Sequence, residues 1–131
     1  MDEITITFES IYEVLRAEKK SDELTKIDEQ FFGHVSTYLG SKQRAALEDD
    51  ELSLKQISNI KRMITEIFER REAKLIKLAM HAARLHSNFV DKAKLLPFEL
   101  DLFLELNTAL QENRSKVLDQ AIKAKLTVFV D

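Results

Sequence analysis

From Leu54 to Asn88 the chain runs for 35 residues without a proline or a glycine, and most of these positions hold strong helix formers. Ile57, Ile60, Ile64, Phe68, Leu75, Leu78, Ala82 and Leu85 recur mostly at spacings of three or four, which places them in one stripe along a helix. Such a helix is about 50 Å long, whereas a compact chain of this length is roughly 36 Å across. The expectation is that the helix overshoots its own domain, so that its projecting part needs a partner or the helix bends. Arg71 stands in the stripe where an apolar side chain is expected. An arginine in such a place snorkels to water or meets a carboxylate, here expected to come from a partner across an interface.

The remaining chain agrees with an all-α fold. Two glycines and one proline are too few for a sandwich or barrel with a turn every few residues. Hydrophobic residues at 44% supply enough material for a core and argue against a disordered chain. Thr7 can cap a first helix running to about Lys20, with Phe8, Ile11, Tyr12 and Leu15 on one face. A second helix is expected over about residues 23–46, with Gly40 as its weak point and an acidic connector, Leu47 to Glu51, after it. Ser53 is the expected cap of the long third helix. Residues 89–94 form a connector. Pro97 opens a fourth helix, running to about Arg114, that carries Leu100, Phe103, Leu106 and Leu110 on one face. Residues 3–7 alternate apolar and polar side chains, and 126–131 read as a short β segment at the C-terminus. The fold expected is a helical bundle with one very long central helix and that terminal β segment.

Chemistry is sparse. With no cysteine there is no disulfide, thiolate metal site or cysteine nucleophile. His81 and His86 are five apart, whereas a paired site on one helix face needs four. His34 stands alone. Asp49, Asp50 and Glu51 lack the glycine and spaced oxygens of a calcium loop. Glu66, Glu69, Arg70, Arg71 and Glu72 read as helix-surface ion pairs. No glycine-rich phosphate loop and no nucleophile elbow occur. No enzyme and no cofactor are expected. No apolar run is long enough to span a membrane, and Met1-Asp2-Glu3 is unlike a secretory leader, so the expected location is cytoplasmic.

Charge is unevenly spread. Residues 1–54 carry 13 acidic and 6 basic groups, 55–94 carry 4 and 10, and 95–131 carry 6 and 4. A basic middle between acidic flanks fits internal or intersubunit pairing, or a face that meets an anionic partner.

Three segments together resemble the archaeal GINS subunits: Tyr12 to Phe32 with its paired aromatics, Ile60 to Ala79, and Leu95 to Phe103 around Pro97. The resemblance implies a helical A domain over 1–115, a linker over 116–125 and the start of a truncated, β-rich B domain at 126–131. It implies a non-catalytic, nucleoid-associated subunit of a homotetramer, or of a heterotetramer with a sister GINS subunit. That tetramer would be a replisome scaffold joining the MCM helicase to a RecJ-like protein and contacting primase and polymerase. Candidate interface residues are Ile60, Ile64, Ile67, Phe68, Arg70, Arg71, Leu75 and Leu78 on the long helix, with Leu102, Phe103 and Leu106 on the last. Two other readings stay open: a helical nucleic-acid-binding protein using the basic face of residues 55–94, and a generic coiled-coil adaptor.

Overall fold

The computed structural model describes residues 6–46 and 50–123, and all its regular structure there is helical. Helix α1 spans Phe8–Lys20 and begins as its sequence dictates. Thr7 Oγ1 accepts from the Ser10 N–H at 3.1 Å, and Ser10 Oγ accepts from the Thr7 N–H at 2.8 Å, so two amides without helical partners are satisfied reciprocally. Helix α2 spans Phe31–Ala45. It starts eight residues later than expected because the intervening backbone is used elsewhere. The Thr25 N–H donates to Glu18, and the Thr25 carbonyl accepts from Arg71. An Asx turn then forms, with the Gln30 N–H donating to Asp28 at 3.0 Å. The helix continues through Gly40 without a break.

Helix α3 spans Glu51–Arg84, 34 residues and about 51 Å. Its cap is Asp50 and not Ser53. The Asp50 carboxylate accepts from the Ser53 N–H at 3.2 Å and from its hydroxyl at 2.6 Å, which makes Ser53 the third residue of the helix. At the far end the Ser87 N–H reaches the Ala82 carbonyl at 2.9 Å, and the His86 N–H reaches that of Ala83 at 3.1 Å. This paired closure requires a left-handed residue, and His86 supplies it at φ 52°. A single 3₁₀ turn at Lys92–Lys94 follows. Helix α4 then spans Pro97–Lys116, and a short helix α5, Leu118–Ile122, occupies part of the expected linker. The C-terminal β segment assigned to 126–131 lies outside the described residues, as do residues 3–5 of the alternating N-terminal run and residues 47–49 of the acidic connector.

From Ile60 to Ala82 one side of the long helix is covered within its own chain. Its first half packs with α1 and α2 around Ile11, Leu15, Phe31, Val35, Ile60, Met63 and Ile67. Its second half packs with α4 and the connector around Leu75, Ala79, Ala82, Val90 and Phe103, joined by Leu24. Two cores therefore lie in series along one rod, which is not the packing of a coiled-coil adaptor, while Leu52 and Leu54 at the start of the rod stay exposed. Helix α4 runs parallel to the second half of α3: Glu99 sits at Arg71, and Asn107 sits at Ser87. A parallel neighbour demands a return crossover. Residues 85–96 provide it, burying Val90 and Leu96 on the way.

Candidate functional site

The junction between the two cores is ionic. Arg71, placed mid-way along α3, is 1% exposed. Its Nε and Nη2 donate to the two oxygens of Glu99 at 2.8 and 2.7 Å, the bidentate fork that guanidinium and carboxylate favour. Nη1 donates to Glu18 Oε1 at 2.6 Å and to the Thr25 carbonyl at 2.7 Å, and Nη2 donates also to the Lys94 carbonyl at 3.1 Å. All five guanidinium donors are thereby used. They tie α3 to α1, to the segment before α2, to the crossover and to α4.

Lys74, one turn further on, completes the cluster. Its ammonium donates to Glu18 Oε2 at 2.5 Å, to the Glu18 carbonyl at 2.8 Å and to the Glu23 carbonyl at 3.0 Å. Two carboxylates and two cations make the buried cluster neutral. Burial acts to raise the pKa of Glu18. Hydrogen bonds from Lys74, Thr25 and Arg71, with the charge of Arg71, outweigh it and hold the carboxyl below its ordinary value. Desolvation likewise acts to lower the pKa of Arg71, and the two carboxylates reverse this and raise it. Glu99 has a further task. Its Oε1 accepts from the Leu96 N–H at 2.8 Å, which satisfies a free amide at the start of α4.

This cluster corrects the sequence reading of Arg71, because its carboxylate partners belong to the same chain. Ile60, Ile67, Leu75 and Phe103 are buried in the two cores, and Ile64, Leu78 and Leu106 pack against them half-buried. Only Phe68, Arg70 and Leu102 remain exposed from the candidate interface set. Arg70 pairs with Glu66 at 3.1 Å on the surface. Sequence reasoning missed Glu18, Glu99 and Lys74.

Next to the cluster lies an aromatic surface that the sequence did not single out as a unit. The Phe32 ring sits between Phe68 and Phe98, edge to face, with centroids 6.2 and 6.0 Å away, and Phe31 backs it at 5.2 Å. Phe68 is 44% exposed, Phe98 47%, and Leu102 36%. Leu102 follows Phe98 by one turn on the same face of α4. The Arg71–Glu99 fork fixes this arrangement, since Phe68 is one turn before Arg71 and Phe98 is the neighbour of Glu99.

Among the described residues no group of three His, Asp or Glu side chains could hold a metal ion, and no helix is long and apolar enough to cross a membrane. A cavity of about 500 Å³ beside Lys74 has an apolar floor of Leu24, Leu78 and Val90 and charges of both signs at its rim. The family model described as the GINS complex protein helical bundle domain matches residues 6–118. No curated protein and no solved structure matches the chain.

Proposed function

The chain belongs to the GINS helical-bundle family, and from that premise we propose that it joins its sister subunits through the surface of Phe32, Phe68, Phe98 and Leu102. Family membership makes it a subunit of a multi-subunit, non-catalytic DNA replication factor. The observation that carries the surface is three phenylalanine rings stacked edge to face on the outside of the bundle, two of them nearly half exposed. Burying one such side chain in an interface contributes about 1.5–3 kcal/mol, so a few of them hold subunits together.

The finer reading is a tetramer, of one subunit type or two, acting as a replisome scaffold between the MCM helicase and a RecJ-like protein, with contacts to primase and polymerase. The support for it is the family relationship together with the order of the three segments around Phe32, Phe68 and Pro97. Light scattering after size exclusion tests the assembly step. The chain alone, or mixed with a sister subunit, should give a mass near four protomers, about 61 kDa for four copies of 15.2 kDa. Phe68→Glu and Phe98→Glu should each reduce it while helicity is kept. An unchanged mass in both variants would remove this surface from the assembly.

A further inference from the structure

The outward side of α3 carries a second feature, independent of the aromatic surface. Lys55, Arg62, Arg70, Lys77 and Arg84 follow one another at steps of seven or eight residues. With 3.6 residues per turn they fall within a sector of roughly 80°, turned away from Phe68, and each step advances about 10.5–12 Å. All five are exposed. The row spans about 44 Å of straight helix.

Few carboxylates answer it. Glu66 lies in the same sector, held by Arg70 at 3.1 Å and by Lys19 of α1 at 3.5 Å, so this trio still carries one positive charge. Glu51 and Glu69 border the sector, Glu51 one turn before Lys55. Among the described residues, Lys55, Arg62, Lys77 and Arg84 make no ion pair, and Arg62 donates only to the Asn59 side chain at 3.2 Å. The chain as a whole carries −3. A polyanion is therefore repelled by the average charge and attracted by this row.

We propose that the basic row of α3 is a track for the phosphate backbone of a single-stranded nucleic acid. A straight row of this length selects the flexible form. The strands of a duplex complete a turn in about 34 Å, so each winds away from a straight rod after one or two cations. A single strand has no fixed twist and lies along all five. The row contains no aromatic side chain on which bases stack, so recognition is electrostatic and independent of sequence. The proposal rests on charge placement alone, and its failure would leave the subunit assembly untouched.

Fluorescence anisotropy of a labelled oligothymidylate of about 30 nucleotides, titrated with the full chain between about 20 and 200 mM salt, tests it. Five contacts give a log–log salt slope of about −3.5. The variant Lys55→Gln/Arg62→Gln/Lys77→Gln/Arg84→Gln leaves one contact and a slope of about −0.7, with circular dichroism showing an intact fold. A control that removes the same charge elsewhere, Lys26→Gln/Arg44→Gln/Lys116→Gln/Lys123→Gln, should leave the slope unchanged. A duplex of equal length should give about −1.8 from two contacts. The track is overturned by any of three results: no binding at the lowest salt, a control that falls as far as the row variant, or a duplex slope as steep as that of the single strand.

Discussion

Replacing Arg71 by alanine probes the junction most directly, because the consequences for its two carboxylates differ. Glu18 retains Lys74 and the amide and hydroxyl of Thr25, so it keeps a cation and three hydrogen bonds. Glu99 retains only the Leu96 N–H. The substitution thus leaves one buried carboxylate without a counter-charge, and breaking a buried pair in this way costs about 3–5 kcal/mol. Domains of this size have a total stability of about 5–15 kcal/mol. The variant should fold, with a melting temperature lower by about 10–20 °C. Arg71→Lys keeps the charge but offers three donors where five are in use, and should cost roughly 1.5–3 kcal/mol. Urea unfolding followed by circular dichroism measures both. Arg71→Ala/Glu99→Ala removes the stranded charge together with its partner, so it should cost less than the sum of the single changes by about 1–3 kcal/mol. A loss below about 1 kcal/mol for Arg71→Ala, or strictly additive changes, would refute the account of the cluster as a buried, mutually dependent unit.

Arg70→Ala, by contrast, removes an exposed pair with Glu66 and should change stability by less than about 0.5 kcal/mol, measured in the same titration. The depressed pKa of Glu18 makes stability depend on pH with a fixed sign. Its contribution is full above the unfolded value of about 4.3 and is lost as pH falls through the lower folded value. Urea midpoints should therefore drop steeply below about pH 4, and the drop should be shallower in Glu18→Gln. Ile67→Ala, at a fully buried position of the first core, should cost about 2–5 kcal/mol in chemical unfolding. His86→Gly relieves a left-handed residue at the end of α3 and should raise the melting temperature, whereas His86→Val should lower it.

The helices were legible wherever local rules acted alone. Thr7 as a cap, Pro97 at the start of α4 and the uninterrupted run of α3 follow from residue type and spacing, and the structure agrees with them. The start of α2 was not legible, because Thr25 gives its backbone groups to Glu18 and Arg71, which no local pattern announces. The partners of Arg71 did leave a trace. Glu18 continues the buried positions Ile11 and Leu15 of α1, and Glu99 falls between Leu96 and Phe103 in the buried row of α4. Three charged residues that interrupt three apolar stripes, one of them opposite in sign to the other two, are a signature of mutual burial. Arg71 alone invited a partner in another chain. Read together with Glu18 and Glu99, it points inward. The aromatic surface was hidden for a different reason: Phe32, Phe68 and Phe98 come from three helices, and only the packing brings them together.

An apolar side chain at position 71 would fill the same space, and well-packed apolar replacements of buried ion pairs are often no less stable. What such a contact lacks is direction. Helix α4 lies parallel to α3, with a crossover of a dozen residues between them, so no tight turn fixes how far it slides. A slip of one helical turn moves it by about 5.4 Å and still lays Leu100, Phe103 and Leu106 against an apolar stripe. Five guanidinium donors aimed at two carboxylates and two carbonyls admit only one register. The same slip would also carry Phe98 away from Phe32 and dissolve the surface at which the subunits are proposed to meet. Glu99 strengthens this constraint, because the carboxylate that grips Arg71 also caps α4, so the helix begins where it is held. The buried charge and the exposed aromatics are thus linked: the first sets the register on which the second depends.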